Sequence, residues 1–234
     1  MKRSDGRGAD ELRHIEVIHG FLSHAEGSVL IKQGGTWVLC VVSLEDEAPP
    51  FLKDTGRGWI TAEYALLPRS TAVRTPRESR KGRIKGRTQE IQRLIGRSLR
   101  AIVDLELLGP RTLRMDCDVL IADGGTRTAS ITGAFLALRD AVDLLLKQGT
   151  LDKDPIIERI GAVSVGLVDG QVLLDLNYDE DCRASVDANF VLTESGKIVE
   201  VQATGEQGPF DWTVFDDMTE LARKGVAQII NNVR

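Results

Sequence analysis

Leu113, Met115, Cys117 and Val119 alternate with Arg114, Asp116 and Asp118, the cleanest period-two run in the chain. It leads into Asp123-Gly124-Gly125-Thr126-Arg127-Thr128-Ala129-Ser130, which opens a stretch with helical spacing. The chain must therefore place a strand end, a glycine turn and a helix start at one point. Backbone N–H groups at a helix start lack partners within the helix, and the dipole's positive end points there. Glycine lets the backbone approach a ligand closely. Arg127 adds a planar fork matched to phosphate oxygens. Two readings are open on these residues alone: a pocket for a small anion, or a capped helix start after a tight turn.

The flanking pattern is mixed. Arg13 to Ile18, Gly27 to Ile31, Thr36 to Leu44 and Trp59 to Leu67 read as strands, with a hairpin across Gly34-Gly35. A helix is predicted from about Thr88 on Ile91, Leu94, Ile95, Leu99, Ile102 and Val103, with Glu90 in its first turn and Gly109-Pro110 as the stop signal. A second helix is predicted over about Thr128 to Lys147. Strands return at Ile160 to Val168 and Val172 to Leu176 around Asp169-Gly170. Two more, Ser185 to Leu192 and Ile198 to Ala203, flank Ser195-Gly196. A last helix is predicted over about Thr213 to Asn231. This order predicts one α+β domain over residues 1–234, with mixed β-sheets packed against helices and no linker.

Charge is unevenly spread. The chain of 234 residues carries a net −5. Arg69 to Arg100 holds eleven Lys or Arg against Glu78 and Glu90, a local +9, which leaves −14 elsewhere. Such a segment fits a polyanion site or a solvated loop. Pro76, Gly82 and Gly86 argue against a continuous helix there, so Arg69 to Arg87 is predicted as an extended loop with mobile tips.

Apolar runs are too short to span a bilayer, and no apolar h-region follows the basic N-terminus. The expected compartment is the cytoplasm. Cys40 and Cys117 fall in apolar strands and read as small buried hydrophobes, while Cys182 sits in an acidic loop. His14, His19 and His24 recur in steps of five, which does not align ligands on one face, so no metal site is expected there.

The acidic stretch Asp179-Glu180-Asp181-Cys182-Arg183-Ala184-Ser185-Val186-Asp187 has no apolar helical face. Extended, Asp181 and Asp187 would stand about 20 Å apart. The segment must curl if both are to hold one metal ion. Taken alone, it reads more simply as a solvated acidic turn.

The run Gly86-Arg87-Thr88-Gln89-Glu90-Ile91-Gln92-Arg93-Leu94-Ile95-Gly96-Arg97-Ser98-Leu99-Arg100 resembles the bacterial RNase PH signature. So do Cys117-Asp118-Val119-Leu120 and the stretch from Ala122 to Ala134. Gly58-Trp59, Thr61-Ala62-Glu63-Tyr64, Leu67-Pro68-Arg69 and Glu180-Asp181 followed by Asp187 match as well. The resemblance covers nearly the whole chain. It implies an RNase PH-type domain with ribosomal small-subunit protein domain-like βαβ architecture.

The activity implied is phosphate-dependent exoribonuclease, or tRNA nucleotidyltransferase. Orthophosphate would be the co-substrate that attacks the 3′ end of RNA, releasing nucleoside diphosphates, and the reaction would run in reverse as nucleotidyl addition. Precursor tRNA is the implied substrate; no DNA or membrane partner is expected. By the same resemblance Arg87, Gly125, Thr126 and Arg127 hold the phosphate, Asp181 and Asp187 hold Mg²⁺, and these four charged residues form the catalytic set. A homo-hexamer, a trimer of dimers, is implied, with Arg69, Arg74 and Arg77 tied to RNA engagement and assembly. Alternatives are a non-catalytic RNA-binding subunit of an exosome-like ring and a hydrolytic metal-dependent nuclease. The chain departs from the family pattern at Glu200-Val201-Gln202-Ala203-Thr204-Gly205-Glu206, where Gly and Ala are exchanged in order, and at Arg13-His14, where Arg-Pro is usual.

Overall fold

The computed structural model describes residues 3–78, 82 and 84–233. Strands β1 (Ile15–His19), β2 (Gly27–Gln33), β3 (Thr36–Glu45), β4 (Trp59–Leu66) and β5 (Thr112–Ile121) form a sheet in the order β1-β2-β3-β5-β4. Strands β6 (Ile160–Val168), β7 (Gln171–Leu174), β8 (Val186–Thr193) and β9 (Ile198–Gly205) form a second, in the order β7-β6-β8-β9. All pairings are antiparallel except β4 with β5. Helix α1 (Gly86–Arg100) lies in the crossover between those two strands, so β4, α1 and β5 make a parallel βαβ unit. The architecture is α+β with mixed sheets, as the sequence pattern implies.

Helix α3 (Thr126–Lys147) explains how the two sheets become one body. It packs on β2 and β3 from one side and on β6 from the other. Every residue from Thr128 to Leu138 is buried, so this half of α3 is enclosed all round instead of having one wet face. Small residues allow the close approach. A Cβ at Gly133 would stand 2.7 Å from Ile31 Cγ2 and 2.8 Å from Cys40 Sγ. One apolar cluster runs from Val29, Val38 and Met115 through Ile131 and Leu138 to Val163, Phe190 and Ile229. Each fully buried side chain of this size contributes about 1.5–3 kcal/mol. Helix α5 (Trp212–Asn232) closes the far side of the second sheet with Met218, Ala222, Val226 and Ile229.

The alternation in β5 buries Leu113, Met115, Cys117 and Val119, as the sequence pattern predicts. Cys40 faces Cys117 across the β3–β5 pairing; both are buried and Cys182 is exposed. The β6–β7 hairpin turns on Asp169 and Gly170, both at positive φ.

Several boundaries differ from the sequence reading. Arg13 precedes β1, which starts at Ile15. Helix α1 begins at Gly86, not Thr88, so Glu90 lies beyond its first turn. It ends at Arg100 and does not run on to Gly109. Val103 leaves the helix to bridge Ile156, and Asp104 caps a separate short helix, α2 (Leu105–Leu108), by accepting from the Glu106 and Leu107 N–H groups. Helix α3 starts at Thr126, so Thr126 and Arg127 belong to its first turn. Between β4 and α1 the described residues form no strand or long helix, as expected for the basic loop. Residues 79–81 and 83 of that loop, for which mobile tips are expected, lie outside the described residues.

Candidate phosphate and carboxylate site

The site lies where the C-terminal end of β5, the start of α1 and the start of α3 meet the second sheet. A cavity of about 280 Å³ there is lined by Arg87, Gly124, Gly125, Thr126 and Arg127 on one side and Asp181, Asp187, Asn189 and Glu206 on the other. The sequence-predicted Arg87, Gly125, Thr126, Arg127, Asp181 and Asp187 are thus all brought together.

The glycine turn needs glycine. Gly124 and Gly125 sit at φ 72° and 63°, and a Cβ on Gly124 would approach Leu176 O to 2.6 Å. Thr36 Oγ1 accepts from the Asp123 N–H and donates to Gly124 O, which fixes the turn against β3. Tyr64, buried on β4, donates to Thr126 Oγ1 at 2.8 Å and so ties the helix start to the first sheet.

The acidic stretch curls, which answers the spacing problem. Asn177 and Glu180 form a reciprocal cap on a one-turn helix, α4 (Tyr178–Asp181). The solvated-turn reading fails at Glu180, which is buried and takes two hydrogen bonds of 2.7 Å from Arg3. The short helix leaves Asp181 facing the cavity, while Asp187 enters from β8.

Burial raises the Asp181 carboxyl above its usual range, and Glu206 adds to this, while Arg87 and Arg127 oppose it. Asp187 is pushed up to about 6, first by burial and then by Asp181, with Arg127 and Arg87 again opposing. The cavity therefore sets two guanidiniums and a helix N-terminus against a crowded set of carboxylates. Among the described residues no group of three His, Cys, Asp or Glu side chains makes a preformed metal site. Two buried carboxylates of raised proton affinity nonetheless suit a hard divalent cation, because Mg²⁺ takes only one or two protein carboxylates beside water and substrate oxygens.

Arg127 Nη1 donates to Gln202 Oε1 at 2.9 Å and stands 3.4 Å from Glu90 Oε1. Arg69, Arg74 and Arg77 are exposed and do not line the cavity; Thr71 of their loop does. Asn189, Ser164 and Glu206 are lining residues that the sequence reading did not single out. The signal for two of them lies in strand register: Asn189 follows Asp187 by two on β8, and Ser164 is its partner on β6.

Residues 11–142 match the family model described as 3′ exoribonuclease family, domain 1, and residues 158–225 match domain 2. The chain belongs to the RNase PH family of 3′ exoribonucleases. Ribonuclease PH of Bacillus subtilis is 56% identical over 230 residues, covering 98% of this chain and 94% of that one. Ribonuclease PH of Solibacter usitatus is 56% identical over 228 residues, covering 97% and 96%. Among solved structures, the Archaeoglobus fulgidus exosome with RNA bound to the active site superposes with a TM-score of 0.84 at 25% identity, covering 100% of this chain and 93% of that one. Rice Rrp46 shares the fold, with a TM-score of 0.81 at 21% identity over 99% and 98% of the two chains.

Glycine at position 205 of this RNase PH-family chain has a local reason. A Cβ on Gly205 would overlap the Gly208 carbonyl oxygen, whereas Ala203 lies exposed on β9.

Proposed function

We infer that this chain shortens RNA from its 3′ end by phosphorolysis, releasing nucleoside diphosphates, and that it adds nucleotides when the reaction runs in reverse. One observation carries the reading: two guanidiniums and a helix N-terminus share a cavity with two carboxylates of raised proton affinity. A pocket built that way accepts an anion and brings it against a second reacting phosphate.

Arg87, Arg127 and the Gly125–Thr126 backbone receive orthophosphate and orient it. A phosphate oxygen attacks the terminal phosphorus; the bond from that phosphorus to the preceding 3′-oxygen breaks. The shortened RNA keeps a 3′-hydroxyl and the terminal nucleotide leaves as a diphosphate. Phosphate is already anionic, so the chemistry needs no strong base. Asp181 and Asp187 would hold Mg²⁺, which when bound supplies positive charge against the reacting oxygens. Of the two acids, Asp187 is our candidate for any proton transfer.

Precursor tRNA is the proposed substrate, and the cytoplasm the proposed compartment. No helix among the described residues is long and apolar enough to cross a membrane. We further propose that residues 1–234 act as one domain, supported by the helix α3 enclosed between both sheets. A homo-hexamer, a trimer of dimers, is proposed as the working assembly; Trp212, 79% exposed at the start of α5, and Ile198 on the edge strand β9 are apolar surface consistent with further contacts. The reading as a non-catalytic ring subunit is disfavoured by the presence of Arg87, Arg127, Asp181 and Asp187 in one cavity.

Product analysis on an RNA with a single-stranded 3′ tail tests the activity. Phosphate-dependent release of nucleoside diphosphates is expected. Monophosphates released at full rate in phosphate-free buffer would make the chain a hydrolase instead.

A further inference from the structure

The two halves of the cavity are joined by one buried side chain. Arg13, with 4% of its side chain exposed, lies on the segment before β1. Its Nη1 donates to Asp123 O at 2.5 Å, and both terminal nitrogens lie 3.5 Å from Gly124 O. The same guanidinium meets Asp175, whose side chain is fully buried, through Nε at 3.1 Å and Nη2 at 2.7 Å. The Arg13 backbone N–H donates to Asp175 Oδ2 at 2.8 Å, and Gln33 Nε2 donates to Oδ1 at 2.8 Å.

Each anchor leads straight to a site residue. Asp123 and Gly124 are the turn that aims the Gly125–Arg127 helix start. Asp175 precedes α4, which carries Asp181. Asp175 holds φ 54°, a left-handed conformation costly for most side chains, and its fourfold hydrogen-bonded carboxylate holds it there. The two segments also touch directly: the Tyr178 N–H donates to Asp123 Oδ1 at 3.2 Å. Only a guanidinium can take the carbonyls of one segment and both carboxylate oxygens of the other at once.

We propose that Arg13 is a positioning residue which, with Asp175, sets the distance and orientation between the anion-binding turn and the Asp181 helix. This rests on the reading above that both parts serve one phosphorolytic reaction. Arg13 contacts the turn and does not line the cavity, so it acts through Gly124, Asp175 and its charge on Asp181 and not on substrate.

Arg13→Lys keeps the charge but cannot span both anchors. With the full chain, kcat/KM for phosphate should fall about 10–100-fold in the folded variant, since a displacement of about 1 Å at a site costs rates on this scale. Affinity for RNA should stay within twofold. Hydrogen exchange should quicken together over residues 120–128 and 174–183 and nowhere else in the sheets. Asp175→Asn, a milder break, should act in the same direction, and the double variant should lose little more than the worse single one. Unchanged phosphate kinetics in either folded variant, or unchanged exchange in both segments, overturns the proposal. A parent chain that shortens RNA without phosphate would instead overturn the phosphorolytic reading, and the exchange measurement would still decide whether Arg13 couples the two segments.

Discussion

Arg127 is held across the gap between the two sheets by Gln202: its Nη1 donates to the amide oxygen on β9 at 2.9 Å. The neighbouring Glu90 carboxylate on α1 stands farther away, at 3.4 Å. Gln202 and Glu90 both engage the guanidinium through Nη1, which leaves the Nη2 and Nε donors of Arg127 for an incoming anion. Arg127→Ala should therefore lower phosphate-dependent turnover by about 10²-fold or more, the scale of losing one charged donor at a reacting centre. Gln202→Ala should raise the phosphate KM several-fold and leave kcat nearly intact. Steady-state kinetics at varied phosphate separates the two. A Gln202→Ala enzyme with the parent's phosphate KM would remove Gln202 from this role.

Gly124→Ala should damage the site more than its size suggests. The residue sits at φ 72°, and its new methyl would press on the backbone of Leu176, Asn177 and Tyr178, none of which is a flexible chain end. The turn and α4 must separate to admit it. We expect a loss of at least about 1 kcal/mol in stability, the lower end for a strained backbone position, and a larger proportional loss in phosphate turnover. Urea unfolding beside kinetics checks this; a variant that keeps the parent's stability and turnover would show that the two segments are not in firm contact.

The strand and helix order was legible because period-two and period-3.6 patterns report burial directly. Leu113 to Val119 and the face of α1 from Ile91 to Leu99 follow that rule. The end of α1 was not legible, because Ile102 and Val103 continue the apolar spacing while Val103 is paired with Ile156, some fifty residues away, by the bonds Asp104 N–H to Pro155 O and Ile157 N–H to Ile102 O. Helix α4 was hidden for another reason. A four-residue helix has no apolar period, and its support comes from Arg3 and from the Asn177–Glu180 cap. Arg87, Arg127, Asp181 and Asp187 were named from family resemblance, and spacing alone left them open. The bridging part of Arg13 could not be read at all, since its partners are contributed by residues 123–124 and 175.

Asp187 should be a stability cost retained for function. Its folded carboxyl is near 6 against an ordinary value of 3.8, so between about pH 4 and 6 the folded chain binds more protons than the unfolded one. Stability must then fall as pH rises through that window. Asp187→Asn removes the charge that burial and Asp181 oppose. In chelator-containing buffer at pH 7.5 the variant should be more stable than the parent by about 3 kcal/mol, with the difference shrinking towards pH 4, and it should lack turnover. Urea unfolding at the two pH values decides the matter. An Asn variant less stable than the parent at pH 7.5 would mean that the Asp187 carboxylate is held by favourable contacts.

The exposed arginines of the loop before α1 make a separate claim, because an arginine that binds RNA phosphates and one that joins subunits look alike on a single chain. Arg69 folds back so that Nη1 donates to Ala72 O at 3.0 Å; Arg74 and Arg77 are exposed, and the positive charge of Arg77 reaches Asp118 on β5. If the three meet RNA, each replacement by Ala should flatten the log–log salt dependence of single-strand binding by about 0.7, the number of released counterions per contact. Particle size by light scattering would then stay that of the parent. If they serve assembly, the salt slope per bound chain stays constant and the particle becomes smaller. Arg77 is our candidate for assembly, since its charge acts on Asp118 of the first sheet. Arg77→Ala should therefore move particle size before it moves the slope, and Arg74→Ala should do the reverse.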